Sequence, residues 1–163
     1  MTRVLHVIPG VDARSGGPAM AMAGLCKAQR DAGLEVTALA TWRAGDGRDI
    51  ADDLGHHGVP VTLVGPARGP LASHRHLSAT LRATVAGADI VHAHGLWEDV
   101  QHHAARIARS LGRPYVITPH GMLTPWSLGQ KRLKKFIYLA LRLRKTLNRA
   151  AALHYTSEHE REQ

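Results

Sequence analysis

The sequence predicts an α/β domain built as a doubly wound, Rossmann-like parallel sheet of about six strands. Three observations lead to this prediction: short β-rich runs alternate with helical patterns, the runs are apolar over nearly their full length, and 163 residues suit one domain. Strands that are apolar on both faces are typical of parallel sheets covered by helices on both sides. Residues 1–163 are therefore interpreted as a single domain.

Six runs have the composition of buried strands, and five helical patterns lie between them. The predicted strands are 3–8, 35–41, 59–64, 89–94, 114–118 and 152–156, and the helical patterns are 18–33, 49–57, 73–87, 98–112 and 128–150. Three of the helical patterns end on a glycine (Gly33, Gly87 and Gly112), as helix C-termini commonly do. Because ligands of such sheets bind at the carboxyl ends of the strands, functional residues are expected where the strands end.

The composition excludes several classes of protein. Apolar residues make up 44% of the chain, which is typical of a globular domain and argues against disorder. No apolar run reaches the ~18 residues that cross a bilayer, and no secretory signal is recognisable. Cys26 is the only cysteine, so an internal disulfide is excluded and a reducing cytoplasm is the expected location.

The first strand leads into VIPGVDARSGGPAMAMAG (7–24), in which Gly16-Gly17-Pro18 precedes the first helical pattern. Proline is favoured in the first turn of a helix, and glycines let backbone N–H groups approach an anion at the positive end of the helix dipole. The segment lacks both the G-x-G-x-x-G of dinucleotide-binding sites and the G-K-[ST] of a P-loop. It is either an anion-binding turn or a flexible turn without a ligand.

Two later strands run directly into the dipeptide His-Gly, in DIVHAHG (89–95) and PYVITPHG (114–121). The usual strand order of doubly wound sheets, 3-2-1-4-5-6, makes these two strand ends neighbours. It places His120 beside His94 and across from Gly16 and Gly17.

His92 and His94 alternate along one strand and therefore point to the same face of the sheet. Such a pair can bind a metal, but zinc needs further His, Cys or carboxylate ligands, and none is evident from the spacing. We therefore expect no metal site, and a metal-dependent hydrolase using His92 and His94 stays open as an alternative. For His6 and His92, a satisfied and partly buried side chain is the preferred interpretation.

The segments SGGPA, DIVHAHGLWE, TPHGMLTPWSL and ALHYTSEHERE follow one another along the chain. In this order and at these distances they resemble the N-terminal, acceptor-side domain of GT-B glycosyltransferases of the family 4-like (group 1), retaining, nucleotide-sugar-dependent type. The resemblance covers nearly the whole chain. It implies a hexosyl-transferring enzyme with two Rossmann-like domains across a cleft, one holding the acceptor and the other the nucleotide.

The resemblance also implies roles for particular residues. Gly16 and Gly17 would approach the donor diphosphate, His120 would face the transferred sugar as the catalytic residue, and Gly121 would leave room for it. The candidates for the acceptor cleft are His94, Gly95 and Glu98, whereas Trp97 is expected to pack. Sugar transfer passes through an oxocarbenium-like state and releases a diphosphate, so positioned polar groups and backbone amides suit this chemistry. The nucleotide-sugar is a substrate, and no cofactor is expected.

The chain ends at Gln163, and no glutamate pair with the family's E-x7-E donor-binding spacing occurs in an equivalent context. We therefore expect the C-terminal donor-binding domain to be absent, in a truncated or split chain, and this domain to be inactive alone. With that domain it would transfer sugar to a glycan or lipid-linked acceptor. A non-catalytic partner subunit of a split glycosyltransferase is the alternative.

Positive charge is concentrated in one part of the chain. Residues 100–157 hold 11 Lys/Arg and no Asp or Glu, while the whole chain has a formal charge of +8. Within 131–149 the helical period predicts an apolar stripe and an opposite basic face. The stripe is Leu133, Phe136, Ile137, Ala140, Leu143 and Leu147, and the basic face is Lys131, Lys134, Lys135, Arg142, Lys145 and Arg149.

Two interpretations of this basic face remain open. It is either solvated, or it seats on anionic lipid at the inner face of the cell membrane, where each basic residue contributes about 1 kcal/mol. The membrane-face candidates are Lys131, Lys134 and Lys135. Nucleic acid is not an expected partner, because aromatic residues make up only 4% of the chain and provide no stacking platform. The protein is expected in the cytoplasm, either free or peripheral to the membrane.

Overall fold

The computed structural model describes residues 1–130, 136 and 138–162. Its six strands are β1 (Arg3–Ile8), β2 (Glu35–Thr41), β3 (Val61–Val64), β4 (Ile90–His94), β5 (Tyr115–Thr118) and β6 (Ala152–Leu153). They form one fully parallel sheet in the order β3-β2-β1-β4-β5-β6. The predicted fold class and strand order are confirmed. Only β6 is clearly shorter than its predicted run of 152–156.

Helices connect the strands and cover both faces of the sheet. They are α1 (Gly17–Asp31), α2 (Asp49–His56), α3 (Leu77–Gly87), α4 (Asp99–Ser110), α5 (Pro125–Gly129), α6 (Arg144–Asn148) and α7 (Glu158–Glu162). A 3-10 turn (Ala13–Ser15) precedes α1, and a π-helical turn (Leu139–Leu143) precedes α6. Among the residues that the structure describes, no helix is both long enough and apolar enough to span a membrane.

The two faces of the sheet are packed with different chemistry. On one face, apolar side chains of β1, β4 and β5 form a continuous core with α3 and α4. On the other face, apolar side chains of β1 and β2 pack under α1 and α2, where Cys26 is fully buried and burial raises the pKa of its thiol to about 12. Because His6 pairs in register with His92, and His94 with Thr118, these four side chains share this second face. The second face is therefore apolar under α1 and α2 and polar towards β4 and β5.

The predicted apolar stripe of 131–149 is wrong in part. Phe136 is 71% exposed and Ala140 is also exposed, while Tyr138, Leu139 and Leu143 pack against the core. The π-helical turn accounts for the difference, because its wider turn puts Phe136 and Ala140 out of the regular helical period that leads to buried Leu143.

Arg142 does not lie on a free basic face either. Its guanidinium donates to the carboxylate of Asp99 at 2.8 Å and ties this segment to α4. Lys145 and Arg149 are exposed, as predicted. The membrane-face candidates Lys131, Lys134 and Lys135 lie outside the described residues, as do Leu133 and Ile137.

Candidate functional site

A sharp turn after β5 positions His120. His120 has a φ of 54° and Gly121 a φ of 74°, so two consecutive residues are left-handed, and the amide of Met122 donates to the carbonyl of Pro119 at 3.2 Å. A left-handed φ is uncommon for a residue other than glycine. The turn leaves His120 half-buried at the carboxyl edge of the sheet, beside His94.

The carboxylate of Glu160, in α7, forms a hydrogen bond with this turn. Its Oε1 accepts a hydrogen bond from the Gly121 amide, and its Oε2 accepts from the amide and the hydroxyl of Thr156, both at 2.9 Å. Burial opposes the charged form, but the amide hydrogen bonds from Thr156 and Gly121 outweigh it and hold the pKa of Glu160 below its usual value. Glu160 was not predicted as a site residue, although it lies within the ALHYTSEHERE segment that carried the resemblance.

Four side chains form a continuous hydrogen-bonded row that ends at His120. The amide oxygen of Gln29, on α1, lies 2.8 Å from Nε2 of His6, and Nδ1 of His6 lies 2.9 Å from Nε2 of His94. Nδ1 of His94 then lies 3.1 Å from Nε2 of His120. His6 and His94 are only 0% and 2% exposed, so this row runs through the interior.

A second, shorter row lies beside the first. Nε2 of His92 lies 2.7 Å from the Thr118 hydroxyl, which also lies 3.1 Å from Nδ1 of His154. The rings of His92 and His94 stack, with centroids 4.3 Å apart and an angle of 26° between the planes. The prediction of satisfied, buried side chains for His6 and His92 is confirmed. His94, predicted to line the acceptor cleft, is itself almost fully buried within the first row.

The buried histidines are neutral at physiological pH. Burial lowers the pKa of His92 to about 3, and it also lowers the pKa values of His6 and, more strongly, His94. At His120 burial again lowers the pKa, with the Glu160 carboxylate acting in the opposite direction. The imidazoles of His6, His92, His94 and His120 therefore each have one N–H and one acceptor nitrogen.

A third histidine, which the spacing of the sequence did not reveal, lies beside His92 and His94. His6 comes from the neighbouring strand, and the ligand-type atoms of His6, His92 and His94 lie within 4.8 Å of one another. The sequence did not show this because 86 residues separate His6 from His92. The spacing nevertheless suits hydrogen bonds: His6 and His94 nitrogens are 2.9 Å apart, whereas two nitrogens on one tetrahedral zinc lie about 3.4 Å apart.

A crevice opens between the carboxyl ends of β1 and β4. It has a volume of about 260 Å³, and its lining includes Gly10, Pro18, His94, Gly95, Glu98 and Met122. At Gly95, with a φ of 83°, an added β-carbon would come within 2.9 Å of Nε2 of Gln101, so only glycine fits there. Of the predicted acceptor-cleft residues, His94, Gly95 and Glu98 all contribute to this crevice. Trp97 packs against the core and against Tyr138, as predicted.

The Gly16-Gly17 turn starts α1 next to this crevice. Gly16 has a φ of 91°, and no side chain caps the helix among the described residues. Both glycines are exposed, and a β-carbon added at either would meet nothing within 4 Å. Pro18 and Ala19 line the crevice, whereas Gly16, Gly17, His120 and Gly121 are not among its lining residues. The space beside Gly121 is also open, since a β-carbon added there would meet nothing within 4 Å.

Comparison with known proteins decides the family. Residues 16–163 match the model of the glycosyl transferase 4-like domain. The chain belongs to this family. In the comparison with curated proteins, none matches this chain.

Solved structures show the same fold at low sequence identity. HepE of Anabaena, in complex with UDP, is 20% identical to this chain, with a TM-score of 0.65. The match covers 99% of this chain and 39% of the HepE chain. MurG of Acinetobacter baumannii is 15% identical with a TM-score of 0.60, over 95% and 41% of the two chains. MnaA of S. aureus, with UDP, is 14% identical with a TM-score of 0.64, over 99% and 41%. The chain thus spans about two fifths of the length of these structures, which have the same fold. The predicted family 4-like glycosyltransferase domain is confirmed.

Proposed function

We propose that this domain is the acceptor-side half of a retaining glycosyltransferase that moves a hexosyl group from a nucleotide-sugar to a glycan or lipid-linked acceptor. The observation that carries the proposal is the placement of His120. It is half-buried, left-handed and held from two directions, by His94 through its ring and by Glu160 through the following amide. A glycosyltransferase family domain with a rigid polar group at this edge is suited to positioning a sugar.

In this proposal the chemistry is divided between two elements. The N-terminus of α1, uncapped by side chains in the described part of the chain, offers backbone amides to a leaving diphosphate. The ring of His120 forms a hydrogen bond with a hydroxyl of the sugar as charge develops at the reacting carbon of the sugar. No protein nucleophile is assigned, and the nucleotide-sugar enters as a substrate.

The solved neighbours suggest which donor to test first. HepE and MnaA are both described in complex with UDP, and HepE also in complex with UDP and glucose. These complexes support a uridine diphosphate sugar as the donor. We propose that a second, nucleotide-binding domain, in the same polypeptide or in a partner chain, completes the cleft.

The proposal can be tested by mapping chemical shifts in the ¹⁵N-labelled chain during titration with UDP-sugars. We expect weak, millimolar changes confined to the amides of Gly16, Gly17, His120 and Gly121. UMP, which lacks the second phosphate and the sugar, is the matched control and should shift them less. Changes of equal size for both ligands, or changes at the opposite edge of the sheet, would contradict the proposed site.

A further inference from the structure

The hydrogen bonds in the row from Gln29 to His120 are coupled, so that the direction of one determines the direction of the others. A neutral imidazole carries one proton and one free lone pair. When three neutral imidazoles are joined nitrogen to nitrogen, the proton on one ring determines the proton on the next. His6, His94 and His120 are joined in this way at 2.9 and 3.1 Å. The row therefore has only two complete arrangements of its protons, which run in opposite directions.

Gln29 closes the buried end of the row and selects between them. Its amide oxygen faces Nε2 of His6 at 2.8 Å, so His6 donates there and must accept at Nδ1. His94 then donates from Nε2 to His6 and accepts at Nδ1, and His120 donates from Nε2 to His94. In the opposite arrangement the Gln29 amide nitrogen would donate, and each proton would move to the other nitrogen of its ring.

We propose that Gln29, His6 and His94 are positioning residues that fix the proton of His120 on Nε2 and leave its Nδ1 as a hydrogen-bond acceptor. No hydrogen bond occupies Nδ1 of His120 within the described part of the chain. Gln29 thus sets, from three side chains away, whether His120 offers a lone pair or a proton. The consequence for sugar binding rests on the proposed function, since an acceptor nitrogen would take a hydrogen bond from a sugar hydroxyl.

The second row does not compete for this role. Thr118 joins His92 and His154, and its hydroxyl can donate to one ring while accepting from the other. His92 contacts His94 by stacking, which transmits no proton. The Thr118 row therefore provides an internal control for any disturbance of the buried histidines.

The test is long-range ¹H–¹⁵N correlation NMR of the histidine rings, which distinguishes protonated from unprotonated nitrogens, in the 163-residue chain without substrate. We expect His6, His94 and His120 to be protonated on Nε2. The variant Gln29→Glu, whose carboxylate can only accept, should keep this pattern. Gln29→Leu can neither accept nor donate, and should raise the Nδ1–H form of His120 from a minor to a comparable population.

The matched control is Thr118→Val, which should alter the ring nitrogens of His92 and His154 and leave the proton of His120 on Nε2. An unchanged His120 in a folded Gln29→Leu variant would overturn the proposal, as would an Nδ1 proton on His120 in the Gln29→Glu variant. One equivalent of zinc in untagged protein, lost in His94→Ala, would overturn it as well. Because the measurement needs no donor sugar, it tests the position of the His120 proton independently of the proposed sugar transfer.

Discussion

His120 combines two features that a histidine with only a packing role does not need. It adopts a left-handed backbone conformation that is uncommon for residues other than glycine, and its ring reaches the surface at the edge where ligands of such sheets bind. Glu160 binds the amide of Gly121 and His94 binds the ring of His120, so the left-handed conformation is maintained by contacts outside the turn.

Replacing His120 should separate stability from activity. His120→Ala removes one hydrogen bond to His94, worth about 1 kcal/mol, so the melting temperature should fall by only about 2–4 °C. In an enzyme that joins this domain to a nucleotide-binding domain, turnover should fall roughly 10²- to 10⁴-fold, the usual effect of losing one positioned polar group. Melting curves and initial rates of sugar transfer measure the two effects.

His120→Gln is the matched variant, because the amide nitrogen of glutamine reaches the position of Nε2 and can still donate to His94. Its melting temperature should fall less than that of His120→Ala, and it should lose turnover. Normal turnover in both variants would show that the PHG turn has only a structural role.

The histidine-bearing face of the sheet makes stability depend on pH. The unfolded chain binds a proton on His92 near pH 6.5, whereas folded His92 remains neutral down to about pH 3. Between these values the unfolded state binds more protons, so the free energy of unfolding falls as the pH falls. The slope is about 1.4 kcal/mol per pH unit for each such histidine.

Urea unfolding from about pH 7 down to about pH 5 measures this slope. His92→Gln should flatten it, since glutamine does not titrate and its amide reaches the position of Nε2, where it can keep the hydrogen bond to Thr118. His56→Asn, at an exposed histidine of α2, is the control and should leave the slope as in the unmodified chain. Equal slopes in all three proteins would mean that His92 is not buried in the neutral form.

The basic segment near α6 predicts an interaction with lipid. Phe136 and Leu141 are 71% and 77% exposed, and exposed Arg144, Lys145 and Arg149 follow them in the sequence. Binding to anionic vesicles should weaken steeply with salt, because charge attraction is screened beyond about 10 Å at about 0.1 M ionic strength. Replacing Lys131, Lys134 and Lys135 by glutamine should reduce vesicle binding and leave the circular dichroism spectrum unchanged.

The same loss of charge at Arg30, Arg75 and Arg82, which are exposed on other elements, provides the control and should have a smaller effect. Vesicle sedimentation at low and high salt compares the three proteins. Equal binding by the lysine variant, or no preference for anionic over neutral vesicles, would leave a solvated face as the interpretation.

The local sequence pattern was sufficient to predict most helices and strands, but it was insufficient to predict most contacts of the site. The boundaries of β1 and β2 match their predicted runs, because apolar strands between clear turn signals are local features. The link from Glu160 to Gly121 spans 39 residues and the link from His6 to His94 spans 88, so both depend on how distant strands align. The π-helical turn at Leu139–Leu143 was missed because it breaks the regular period on which the apolar stripe was based.

The architecture brings the described candidates for the donor and acceptor sites to one edge of the sheet but encloses only a small space there. Side chains and backbone from β1, β4, β5 and α1 meet at this edge, which follows from the strand order. The crevice of about 260 Å³ lies below the roughly 300–1,000 Å³ of typical ligand pockets. The residues of this chain thus form one wall of the proposed cleft.

We therefore expect the 163-residue chain to bind nucleotide-sugars more weakly than micromolar and to transfer no sugar. Micromolar affinity requires about 8 kcal/mol, whereas a helix N-terminus contributes up to about 2 kcal/mol towards an anion. A hydrogen bond between the ring of His120 and a sugar hydroxyl adds about 1 kcal/mol, which leaves most of the required free energy without a source in the described residues. Titration calorimetry with a panel of nucleotide-sugars measures the affinity, and the same panel with UMP added as competitor tests its specificity. Micromolar binding by this chain alone, competed by UMP, would show that the wall also holds the nucleotide and would overturn the proposed division of labour between two domains.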